Sequence, residues 1–142
     1  MAGETTSVAA SAARNFYDNP GAGLFVVPFN LTFASTDNET NDVMQAGYCP
    51  PNVRLVAVGW YPTDMDTNVS PAVVHKVTVG STDVVTGLTG AQSGTASFTP
   101  VTNAAAVLAP STSAQLVTVT STTAAATGAA GTAVLLLFCQ KA

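Results

Sequence analysis

An all-β fold is predicted by three features of the sequence. Short apolar segments alternate with polar residues at a period of two, turn-forming clusters separate them, and no amphipathic helix of ordinary length follows residue 20. A string of short strands of this kind is the pattern of a sandwich or a barrel. The 142 residues suit one domain, because single hydrophobic cores commonly occupy about 100 to 150 residues.

The chain divides into an N-terminal arm over 1–20 and a β-sandwich domain over 21–142. Met1 to Phe16 is rich in Ala, Ser and Thr and has almost no large apolar residue, so it adds little to a core and suits an arm that orders on a partner. Val8 to Arg14 is long enough for a turn or two of helix, which is marginal in isolation. The cluster DNPGAG, Asp18 to Gly23, is turn punctuation that opens the folded domain.

Leu24 to Ala34 is the first predicted strand, with Phe25, Val27, Phe29, Leu31 and Phe33 on one face. Pro28 interrupts it and marks an edge or a bulge, since proline cannot donate to a sheet ladder. Ser35 to Asp42 is a polar loop, and Val53 to Tyr61 is a strong strand. Trp60 and Tyr61 are consecutive, so their side chains point to opposite faces and one belongs to the core. Val73 to Val79 and Asp83 to Leu88 follow, joined by the tight turn Gly80-Ser81-Thr82. Thr95 to Val101 is expected to place Phe98 in the core, and Leu116 to Thr120 alternates β-branched residues that fit a pleated sheet. Ala124 to Gly131 is a small-residue loop. Thr132 to Gln140, the most hydrophobic run, is expected to be a central strand buried on both faces.

Charge is scarce. Hydrophobic residues make up 47% of the chain but charged ones only 8%, against roughly 25% in an average soluble domain. Arg14, Arg54, Lys76 and Lys141 are scattered and form no basic patch, so no nucleic acid or anionic membrane partner is expected. The formal charge of −4 is too mild to define a partner. Monomers usually keep sheet edges apart by displaying Lys and Glu. A surface of Thr, Ser, Asn, Gly and Ala instead points to burial against neighbouring molecules. No apolar run reaches the about 20 residues of a membrane span, and Met1 to Ala13 lacks the basic start and apolar core of a signal peptide.

No constellation for catalysis emerges, and no enzymatic activity is expected. His75, the only histidine, lies inside a predicted strand and is expected to face solvent or a neighbour. No serine or cysteine stands in a nucleophile motif near it in sequence. DMDTN, Asp64 to Asn68, begins like a calcium loop with oxygen ligands at alternate positions, but Val69 stands where glycine is needed and His75 where glutamate is needed. An irregular cation site using Asp64, Asp66 and Asp83 is the chemical alternative. The favoured reading is a hydrogen-bonded Asx turn linking two strands, so no metal or cofactor is assigned. Cys49 and Cys139 each lie in or near an apolar strand, where a buried reduced thiol is expected. Asn38-Glu39-Thr40 has the form of a glycosylation sequon, read as coincidence in a Thr-rich chain.

The runs TNDV (Thr40 to Val43), YCPPNVRLVAVG (Tyr48 to Gly59), DMD (Asp64 to Asp66) and KVTVGSTD (Lys76 to Asp83) resemble head decoration, or cement, proteins of tailed bacteriophages. The shared pattern is an acidic turn after a proline-led strand, then a strand ending in Val-Gly. The resemblance covers about half of the chain and implies a jelly-roll-like antiparallel β-sandwich with an extended N-terminal arm. It further implies a virion protein, made in the host cytoplasm, on the capsid exterior. There it would bind the major capsid protein, with a trimer as the expected homo-oligomer. No individual residue role is carried over. The competing expectation is a carbohydrate-binding or adhesin-like module of a phage head fibre or tail, using Trp60 or Tyr61 and a cation at Asp64 and Asp66.

Overall fold

A computed structural model describes residues 23–103 and 110–142. The expected arm over 1–20, the helical turn at Val8 to Arg14 and most of the DNPGAG turn lie outside the described residues. Among the described residues eight strands form: β1 (Leu24–Phe33), β2 (Val43–Cys49), β3 (Val53–Pro62), β4 (Val74–Val79), β5 (Thr82–Leu88), β6 (Ser97–Pro100), β7 (Gln115–Thr123) and β8 (Gly131–Lys141). They make two four-stranded sheets, β1-β8-β3-β6 and β2-β7-β4-β5, with every neighbour antiparallel. First pairs with last, second with seventh, third with sixth and fourth with fifth, once the two sheets are taken together. That order is a long hairpin rolled onto itself, a jelly roll. No helix among the described residues is long and apolar enough to cross a membrane.

The alternating pattern builds the core from both inner faces. Phe29, Leu31 and Phe33 of β1 are buried, with Phe25 and Val27 packed against them. Leu135, Leu137 and Cys139 of β8 join Val58 and Trp60 of β3, and Val117 and Val119 of β7 meet them from the other sheet. β1 is an edge strand, so Pro28 costs no ladder bond to a further strand. The β4–β5 hairpin closes through Gly80 and Ser81, where Gly80 takes a φ of +62°. A positive φ at the first position of a two-residue loop is the geometry that glycine supplies at least cost.

Four expectations change. β2 falls in a stretch with no predicted strand, because a bulge between Gln45 and Gly47 breaks its alternation. Phe98 is 60% exposed rather than in the core. β6 pairs with β3 in the register that sets Phe98 opposite Gly59, so its ring lies outward, edge-on to Phe138 at 5.1 Å. β8 is central, as expected, but only its inner face is fully buried; Val134, Leu136 and Phe138 are half-exposed outside. His75 is 0% exposed, deep in the core instead of at the surface.

Candidate interaction face and buried polar anchors

The outer face of β1-β8-β3-β6 is apolar in register. Val26, Phe138, Ala57 and Pro100 line up as one row, and Pro28, Leu136, Gly59 and Phe98 as the next. Asn30, Val134 and Tyr61 follow, and Leu24 precedes, beside Gln140 and Arg54. Leu24, Val26, Tyr61 and Phe98 are all exposed. Gly59 is the floor of this surface: a Cβ there would press on Tyr61, Leu136 and Phe138 at 2.9 to 3.3 Å. Contiguous apolar surface of this kind makes this face the candidate for an interaction.

The opposite outer face is built differently. Gln45, Thr118, Thr78 and Asp83 form one row, and Val43, Thr120 and Lys76 another. Lys76 Nζ lies 3.1 Å from Asp83, which also accepts from Thr78 Oγ1 at 2.9 Å. Those two donors hold the Asp83 carboxyl below its ordinary range. Hydroxyls and an ion pair suit water, although Val43 and Tyr48 are also exposed on this face, so it is the more polar of the two without being free of apolar surface.

Two buried polar anchors tie one end together. Successive Asx turns run along the β3–β4 connection: Asp64 Oδ1 accepts from Asp66 N, Asp66 Oδ1 from Asn68 N, and Asn68 Oδ1 from Ser70 N. The spacing that imitates a calcium loop is therefore the i to i+2 repeat of these turns. Asp66 is 1% exposed. Its Oδ2 accepts from the backbone N–H groups of Ala72 (2.7 Å), Val73 (3.1 Å) and Ala126 (2.9 Å), and its Oδ1 from Thr127 (2.9 Å). Burial alone would raise its pKa, but the backbone donors from Ala72, Thr127, Ala126 and Val73 outweigh it and hold the carboxyl well below the usual range. A carboxylate ringed by N–H donors has its lone pairs taken, and Asp83 sits apart on the β4–β5 hairpin. Among the described residues no three His, Cys, Asp or Glu side chains converge.

The second anchor joins Asn38, His75 and Ser121. Asn38 Oδ1 accepts from His75 Nε2 at 2.8 Å and from Ser121 Oγ at 3.3 Å, while its Nδ2 donates to Met65 Sδ at 3.7 Å. Because the partner atom is an acceptor, Nε2 carries the proton of the neutral ring. His75 is walled by Trp60 and Phe33, with ring centroids 5.4 and 6.0 Å away. Burial lowers its pKa to about 4. Ser121 hydrogen-bonds Asn38, not His75, and no substrate reaches a ring with no exposure. Asn38, the residue of a sequon, is itself buried; neither it nor Ser121 stood out in the sequence, because burial of a polar loop residue leaves no periodic signal. Trp60 and Tyr61 do part as expected, Trp60 into the core and Tyr61 outward. Trp60 is therefore not available to stack on a sugar.

The fold and the two-faced surface define the chain as a jelly-roll sandwich. No family model matches the sequence, and no curated protein matches it either. Solved structures do share the fold. One is a chain of the capsid of Ralstonia phage GP4, at 20% identity and a TM-score of 0.74, with 86% of each chain covered. Another is a chain of the cyanophage Pam1 capsid asymmetric unit, at 23% identity and a TM-score of 0.71, covering 86% of this chain and 87% of that one.

Proposed function

We propose that this chain is a structural virion protein that decorates and braces the exterior of a bacteriophage capsid. It docks on the major capsid protein through the outer face of β1-β8-β3-β6 and assembles as a trimer. The observation that carries the reading is the contrast between that largely apolar face, whose one charge is Arg54 at its end, and the opposite face, where hydroxyls and the Lys76–Asp83 ion pair stand beside exposed Val43 and Tyr48. Burying uncharged surface releases water without stripping solvent from ions. The likeness in fold to chains of two phage capsids supports the choice of partner. Many modest contacts repeated over a fixed lattice hold tightly through effective concentration, and a three-fold cluster needs only one heterologous contact that closes. Of the sugar-binding alternative's residues, Trp60 is buried and Asp66 is fully hydrogen-bonded, which leaves Tyr61 as its one exposed aromatic.

Co-sedimentation with shells of the encoding phage, stripped of this protein, tests the reading. Phe98→Asp or Val26→Asp is expected to weaken binding at least about tenfold, as loss of a well-packed interface anchor does. Thr122→Asp, on the opposite face, should bind as wild type. Equal binding by all three variants, each shown folded by circular dichroism, would sink the proposed docking face. Native mass should report three copies of the 14.3 kDa chain. The arm over 1–20 is proposed as a second anchor. Deleting Met1 to Arg14 should leave a folded domain that binds shells more weakly, and unchanged binding would remove the arm from the proposal.

A further inference from the structure

We infer that the flank of the sandwich between β5 and β6 carries a binding site for a neutral saccharide. β5 and β6 are each the outermost strand of their sheet, and a cleft of about 390 Å³ lies between them. That size falls within the roughly 300–1,000 Å³ of small-molecule sites. The segment Thr89 to Ala96, with its 3-10 turn Gly90–Gln92, joins the two strands at one end. Beyond the other end of β6, Asn103 Nδ2 donates to Asp83 O of β5 at 3.1 Å. The two walls are therefore held at a set spacing before any ligand arrives.

The lining sets the chemistry. Its hydroxyl-bearing residues are Thr86, Thr89, Ser93, Thr95, Ser97 and Thr99, and Gln92 adds an amide. No ionisable side chain is among the lining residues, so no charge there matches a phosphate, a carboxylate or a cation. Leu88, the one large apolar residue, is buried, so the cleft offers no apolar floor to a lipid chain. A hydroxyl both donates and accepts. The uncharged molecules that present both roles on neighbouring atoms are polyols, saccharides above all.

A second observation comes from the inner wall. Ser97 Oγ is buried without a hydrogen-bond partner among the described residues, and so is Trp60 Nε1. Ser97 and Trp60 stand opposite each other in the β3–β6 ladder. A Cβ on Gly90, at the end of the cleft, would press on Thr95 O and lie 3.2 Å from Trp60 Cδ1. Two orphaned polar atoms thus stand beside the cleft, and each costs stability while unpaired. Turning Ser97 about χ1 to another staggered rotamer carries its hydroxyl toward the cleft that it lines, where a ligand oxygen can accept from it. Binding then relieves a polar defect of the free protein. The cleft lies on the flank of the sandwich, so the inference stands or falls apart from the docking face.

Trp60 is the only tryptophan, so its emission reports on the cleft. The test titrates the full-length protein with glucose, galactose, mannose, N-acetylglucosamine and lactose, and reads Trp60 fluorescence together with saturation-transfer NMR of the sugar. At least one sugar is expected to bind saturably with a millimolar Kd, because hydrogen bonds made in competition with water are individually modest. Ser97→Ala removes an unpaired hydroxyl, so it should fold at least as well as wild type yet bind that sugar about tenfold more weakly. Thr86→Arg fills the cleft from an exposed position of β5 and should abolish binding. Tyr61→Ala, on the outer face, should bind as wild type. No saturable signal from any of the sugars would overturn the inference. Wild-type binding by Ser97→Ala or Thr86→Arg, each shown folded by circular dichroism, would do the same, as would loss of binding in Tyr61→Ala.

Discussion

Replacing Asp66 by alanine is expected to lower the unfolding free energy by at least about 4 kcal/mol, because several buried N–H donors would lose their acceptor together. Each orphaned buried donor costs roughly 1–3 kcal/mol, and a small domain has only about 5–15 kcal/mol in total. The donors come from two loops far apart in sequence: Ala72 and Val73 before β4, and Ala126 and Thr127 before β8. The carboxylate also supports the bridge between Asp66 and Gly128. Asp66→Asn should recover little, since half of its amide presents N–H to N–H. The same geometry fixes a pH window. The folded carboxyl titrates below its ordinary value of 3.8, so its stabilisation is present above that value and is lost as pH falls beneath it. Urea unfolding of wild type and both variants at neutral pH measures the effect. A loss under about 1 kcal/mol for Asp66→Ala would mean that water replaces the carboxylate at little cost.

A second large effect is expected at milder acidity. His75 has a folded pKa lowered by burial from 6.5 to about 4. The unfolded chain therefore binds a proton between those values while the folded chain does not. Stability conferred by the neutral ring is complete above pH 6.5 and falls as pH drops toward 4, by about 3 kcal/mol at 1.36 kcal/mol per pH unit. Protonation would place a charge between Trp60 and Phe33, on a ring whose Nε2 meets Asn38 and whose buried Nδ1 has no hydrogen-bond partner. His75→Gln keeps a donor toward Asn38 and cannot titrate. It should be less stable at pH 7 but should lose the slope between pH 6.5 and 4. An unchanged slope in that variant would assign the acid sensitivity elsewhere. The two anchors thus act in separate windows, His75 above pH 4 and Asp66 below it.

The sequence made the large strands legible, because β1, β3 and β8 carry big apolar side chains at a period of two. His75, expected at solvent or against a neighbour, was misplaced although its parity held the signal: Val73, His75, Val77 and Val79 alternate on one face, and all four are buried. Phe98 misled for the opposite reason. A strand with one aromatic invites that residue inward, yet Ser97, Thr99 and Val101 take the inner parity and Val101 alone is well buried. Which parity faces in was decided by pairing with Gly59, and register is not written in a four-residue strand. β2 was illegible because its bulge at Gly47 cancels the alternation. The apolar outer face was equally hidden. It is assembled from residues of four strands, and only the order β1-β8-β3-β6 brings them side by side. The alternation of Asp64, Asp66 and Asn68 was visible, but ligand spacing and Asx-turn spacing coincide, and only the hydrogen bonds separate them.

The central claim is that the β1-β8-β3-β6 face meets the capsid, and hydroxyl-radical footprinting of free and shell-bound protein tests it most directly. Tyr61, Phe98, Leu136 and Phe138 are expected to become protected on binding, while Leu116 and Lys76 on the opposite sheet stay as reactive as in the free chain. Protection of the β2-β7-β4-β5 face, with Tyr61 and Phe98 still fully reactive, would contradict it.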